Sequence, residues 1–177
     1  MPRLFVAVPL SQSLKERLQA IQPPKTRGIT PMEPDNLHLT LQFIGEADPE
    51  AVLEALASVK ARSFELEFTE LSQFRNGVIW LGVKDNAELK ALQLAVLKAL
   101  LKAGLPLEKK RFVPHVTLAR YKRHVPQPII NELIQQTAGE VPSEQVLAFS
   151  LFDSHTVDDE LTYTRLRAFP LATLKPA

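Results

Sequence analysis

The chain has 177 residues, 45% of them apolar and 23% charged, with a formal net charge of +1 and no cysteine. These values fit one soluble globular unit with a sizeable core. They exclude a global field for polyanions, a disulfide framework, a thiolate nucleophile and a cysteine-based metal site.

The run RLFVAV (3–8) predicts a strand, and a helix follows from about Ser13. There, Ser13 and Glu16 stand at capping-box spacing, Leu14, Leu18 and Ile21 share a face, and Pro23-Pro24 closes the element. The Pro-containing stretch 22–34 reads as a surface loop. In NLHLTLQF (36–43), Leu37, Leu39, Leu41 and Phe43 make the apolar face of a strand, with His38, Thr40 and Gln42 pointing the other way. Asp48-Pro49 opens a second helix carrying Val52, Leu56 and Val59. FELEFTEL (64–71) alternates as one half-exposed strand.

A similar order then begins again. GVIWLGV (77–83) is a strand, and Asp85 and Glu88 are spaced to cap a helix bearing Leu89, Leu92, Val96 and Leu100, ended by Gly104. VPHVTLAR (113–120) is a second histidine strand. Pro128 starts a short helix with Ile130, Leu133 and Ile134, and VLAFSLF (146–152) and LTYTRLRAF (161–169) finish as strands. The longest mostly apolar stretch, ALQLAVLKALL, is broken by Lys98 and is too short to cross a bilayer, so a cytoplasmic protein with no membrane partner is expected. The repeated order predicts a single α+β domain over 1–177. It is a bilobal pseudo-twofold duplication with halves of about 1–76 and 77–177, each a small, mainly antiparallel sheet backed by helices, around a central cleft.

HLTL and HVTL share the pattern His-aliphatic-Thr-Leu. Residues two apart on a strand lie on one face about 6.5–7 Å apart, so each strand presents an imidazole beside a hydroxyl. Two such strands facing one cleft would suit a tetrahedral anion. Thr40 and Thr117 would each donate a hydrogen bond to a phosphate oxygen, and His38 and His115 would exchange protons with the attacking and leaving oxygens. Symmetry leaves open which histidine is acid and which is base. A lone histidine on a strand is more often an ordinary surface residue, and two imidazoles can also be metal ligands. However, neither motif brings a close carboxylate or an HExxH pattern, so no metal is expected.

RLFVAV, NLHLTLQFIGE, GVIWLGV, RFVPHVTLAR and the closing Ser154-to-Tyr163 strand pair together resemble the two-histidine phosphoesterase superfamily. Within it, the chain is similar to the RNA 2′,3′-cyclic phosphodiesterase family, historically called 2′-5′ RNA ligases. The resemblance implies opening of a 2′,3′-cyclic phosphate at an RNA 3′ end to a 2′-phosphomonoester, with no cofactor. It assigns His115 as proton acceptor from water and His38 as proton donor to the departing 3′ oxygen. It also implies reversible 2′-5′ joining of tRNA fragments by some members, and a monomer is expected. A non-catalytic RNA-end or nucleotide-binding module is the alternative.

Where the family usually reads Arg-Pro-Phe-x-Pro-His, this chain has KRFVPH, which leaves Lys110 and Arg111 as candidate RNA-backbone contacts in an otherwise solvated loop. Arg120 matches an arginine the family often uses near the ligand, yet strict alternation points it away from His115 unless the strand bends. By the same parity Phe43 belongs to the core, with base stacking as its other role. His155 is a candidate for the cleft rim, His124 reads as solvated, and Trp80 and Tyr163 read as structural.

Overall fold

The computed structural model describes residues 1–108, 110–135 and 141–173. In chain order the elements are β1 (Arg3–Pro9), α1 (Gln12–Ile21), β2 (Ile29–Pro31), a 3₁₀ turn (Pro34–Asn36), β3 (His38–Glu46), α2 (Pro49–Leu56), β4 (Phe64–Leu66) and β5 (Phe68–Phe74). There follow β6 (Val78–Val83), α3 (Ala87–Lys102), β7 (His115–Tyr121), α4 (Gln127–Gln135), β8 (Glu144–Val146), β9 (Ala148–Val157) and β10 (Glu160–Pro170). The stretch expected as a plain loop thus holds β2, which pairs with β7 and buries Ile29.

Helix starts differ from expectation by local hydrogen bonding. Ser11, not Ser13, caps α1: its Oγ accepts the Leu14 N–H at 3.2 Å, and its backbone is extended as an N-cap requires. Asn86, not Asp85, caps α3, its Oδ1 accepting the Leu89 N–H at 2.9 Å, while Asp85 pairs with Lys90. Asp48 caps α2 as expected, but that helix ends at Leu56, leaving Val59 beyond it. Leu89, Leu92, Val96 and Leu100 form the buried stripe of α3.

The strands pair in the order β10-β9-β1-β3-β7-β6-β5, with β2 added beside β7; every pair is antiparallel. The sheet is two four-stranded halves joined along a seam between β3 and β7, where Leu39 pairs with Val116. One apolar core packs against this sheet with buried residues from α1, α2 and α3, and a smaller cluster of Ile29, Ile79, Ala119, Val125 and Ile130 includes the α4 face.

The sequence halves interlock. The run expected as one strand over 64–71 divides at Glu67: β4 pairs with β8 in a separate two-stranded sheet, and β5 pairs with β6 across the boundary between halves. Likewise β8 parts from β9 at Leu147, and β9 pairs with β1.

Candidate active site

Leu39 and Val116, the pair at the seam, are both 0% exposed on the core face. Strand alternation therefore turns their neighbours His38, Thr40, His115 and Thr117 to the opposite face, and all four are half-buried there. Extending the antiparallel register by one residue sets His38 across from Thr117 and Thr40 across from His115. The two histidines then lie on the diagonal, roughly 7–8 Å apart at the backbone. That is a spacing one tetrahedral anion can bridge.

Each imidazole is oriented by the carbonyl two residues before it. His38 Nδ1 lies 2.7 Å from the Asn36 carbonyl, and His115 Nδ1 lies 2.7 Å from the Val113 carbonyl. A carbonyl only accepts, so Nδ1 carries the proton in both rings and Nε2 is the nitrogen left for chemistry. His38 Nε2 meets Thr40 Oγ1 at 2.8 Å, where it accepts from the hydroxyl while neutral. Burial lowers the His38 pKa to about 4 against the pull of the Asn36 carbonyl, and the charges of His115, Lys15 and Arg120 push the same way. Burial, then Arg120, holds His115 below its ordinary value as well.

The histidine strands carry a bulge at the same motif position. In β3 Gln42 pairs with Val6 and Thr40 with Ala7, so Leu41 is an extra residue; in β7 Ala119 pairs with Ile79 and Thr117 with Trp80, so Leu118 is extra. An extra residue reverses the parity of everything after it. The residue five after each histidine thereby moves to the histidine face. Phe43 is 64% exposed there and packs its ring on Phe5 at 5.7 Å, which corrects its expected core position. The reversal also brings Arg120 round to the same face, where its charge acts on His38, His115 and Tyr163.

Set beside known proteins, residues 10–152 match the family model described as the 2′-5′ RNA ligase superfamily. The chain belongs to the 2′-5′ RNA ligase superfamily. An Archaeoglobus fulgidus protein named RNA 2′,3′-cyclic phosphodiesterase is 33% identical, over 94% of this chain and 99% of that one. A crystal structure of a phosphoesterase superposes with a TM-score of 0.80 at 26% identity, covering 97% of this chain and 98% of the other. Escherichia coli LigT complexed with 3′-AMP superposes with a TM-score of 0.76 at 27% identity, covering 96% and 97%.

Other residues of this superfamily member fall outside the shared face or were not expected on it. His155 is not brought to the histidine face: β9 runs without a bulge, so His155 shares a side with Asp153, 4.0 Å away, while Phe152 and Ser154 take the other. Lys110 pairs with Glu108 at 3.1 Å in an exposed loop, and Arg111 is exposed beside it. Aromatic walls stand around both imidazoles instead. Tyr163 and Phe5 flank His38 at 5.2 and 5.0 Å, and Phe74 and Trp80 flank His115 at 5.0 and 5.7 Å, ring centre to ring centre. Tyr163 and Trp80 had read as structural because no local pattern ties β10 or β6 to a histidine strand. Among the described residues, no group of three or more His, Cys, Asp or Glu is placed to hold a metal, and no helix is long and apolar enough to cross a membrane.

Proposed function

We propose that this superfamily member opens RNA 2′,3′-cyclic phosphate ends to 2′-phosphomonoesters by metal-independent histidine acid–base catalysis. The observation that carries this reading is the placement of two imidazole–hydroxyl pairs, one from each histidine strand, on a common face at the seam.

Thr40 and Thr117 donate hydrogen bonds to the non-bridging phosphate oxygens, and Arg120 offsets their charge. Water attacks phosphorus, its proton passing to His115 Nε2. The P–O3′ bond breaks as His38 Nε2–H gives its proton to O3′, leaving the phosphate on O2′. In the ligand-free site burial holds both imidazoles below the ordinary histidine value, His38 the further at about 4, which favours the neutral rings at pH 7. The substrate's negative charge, seated between them, raises His38 and so supplies the acid. Phe43, beside Phe5, offers an exposed ring for the terminal base. Lys110 and Arg111 act at most on the RNA backbone beyond the site. With a 5′-hydroxyl in place of water the same steps leave a 2′-5′ linkage, whose cleavage is their reverse, tRNA fragments being one such substrate. A cytoplasmic monomer completes the proposal.

An oligonucleotide ending in a 2′,3′-cyclic phosphate, incubated with the protein in EDTA, tests this. The expected product carries its phosphate on O2′ alone. No turnover, or a 3′-phosphate product, contradicts the proposal.

A further inference from the structure

Asn36 is a polar side chain with 8% of its surface exposed, two residues ahead of His38. It is tied on two sides. Its Nδ2–H donates to the Leu161 carbonyl at 3.0 Å, across 125 positions of chain, and its own carbonyl accepts the His38 Nδ1–H at 2.7 Å. Leu161 stands next to the turn of the β9–β10 hairpin, where Asp158 and Asp159 take φ of 51° and 65° as a tight two-residue turn requires. Two residues further along, Tyr163 sets its ring edge-on to His38, at 84° between planes. The hairpin therefore reaches the histidine strand twice, once by hydrogen bond and once by ring contact.

The second motif has the ring contacts, from Phe74 and Trp80, but not the side-chain hydrogen bond. His115 uses the Val113 carbonyl at the same 2.7 Å, but the side chain there is an apolar valine, 42% exposed, with no donor to anchor it. The two histidines are thus held alike at the ring and differently one step out.

We propose that Asn36 is a positioning residue which, with the tip of the β9–β10 hairpin, fixes the peptide carbonyl that keeps the His38 proton on Nδ1 and presents Nε2 to the phosphate. This rests on the histidine mechanism above and adds a part that none of its site residues supplies. Misplacing a reacting group by about 1 Å costs on the order of 100-fold in rate, so the brace acts on kcat rather than on affinity.

The test replaces the amide by a side chain of similar size that cannot donate, Asn36→Leu. The expected result is a fall of about 10- to 100-fold in kcat with KM changed by less than about two-fold. Ring ¹⁵N shifts of His38 should move from the Nδ1–H form toward a mixture of tautomers, while His115 stays unchanged. Asp159→Pro, which forbids the positive φ at the exposed turn without touching the core, should give the same His38 signature and covers the case in which the first variant does not fold. Wild-type kcat and an unmoved His38 spectrum in the folded variant would overturn the inference. His38→Ala run in parallel separates the two levels: if it stays active, the histidine mechanism itself fails. If it is inactive while Asn36→Leu is normal, only the brace fails.

Discussion

In the proposed mechanism the chemistry sits in two ring nitrogens. Because each Nδ1–H is committed to a carbonyl, Nε2 is the nitrogen that mechanism uses in both His38 and His115, and a residue that merely fills space could not replace either. Replacing either by alanine should lower turnover by about 10²–10⁴-fold, the usual contribution of a positioned acid or base, with circular dichroism unchanged because both side chains face away from the core. Full activity in either variant would remove the acid–base account. Arg120→Ala should weaken binding of a cyclic-phosphate end and leave a neutral nucleoside unaffected, which titration against both ligands reads directly. The histidines and threonines were legible as a repeated motif because strand alternation over three residues needs no tertiary information. Asn36 was visible two positions upstream, but its attachment to Leu161 depends on a hairpin that no local pattern links to it.

At the scale of elements, the bulges at Leu41 and Leu118 do the work that alternation could not reveal. Up to those residues, parity read from the sequence holds; beyond them it reverses, which is why Phe43 was read as a core residue and Arg120 as turned away. A bulge leaves no mark in hydrophobic periodicity when, as here, the extra residue is itself a leucine. The split of 64–71 into β4 and β5 was hidden for a related reason, since the alternating pattern continues across Glu67 while the pairing partner changes. The seam is open to test by mutation, because Leu39 and Val116 bury completely where the sheet's halves meet. Leu39→Ala should cost about 2–5 kcal/mol in urea unfolding. A loss below about 1 kcal/mol would mean that the halves are held together mainly elsewhere.

For the molecule as a whole, the α+β class and the duplicated strand–helix order were legible because short apolar or alternating runs such as β1 and β3 are separated by helical stripes such as that of α3. The interlocking of the halves was not, since which strands pair is decided by the assembled sheet rather than by neighbouring sequence. The depressed histidines also link the site to global stability. With a folded pKa of about 4 against 6.5 unfolded, His38 binds more protons in the unfolded chain across that interval. Its contribution is complete above pH 6.5, is lost as pH falls, and levels off below about 4; His115 acts in the same direction. The shift sets a ceiling of about 3 kcal/mol for His38, lowered because the ring keeps part of its surface in solvent. Urea midpoints should therefore fall between pH 7 and 4.5, and fall less in His38→Gln. An identical fall in the two proteins would contradict the burial assigned to that ring.

The central claim is that both histidine strands grip one phosphorus centre, and a crystal structure with a bound nucleotide 2′-phosphomonoester tests it most directly. The phosphate should lie at the seam, hydrogen-bonded by Thr40 and Thr117, with His38 Nε2 and His115 Nε2 on opposite sides of it. A phosphate held by one strand alone, or seated away from the seam, would contradict it.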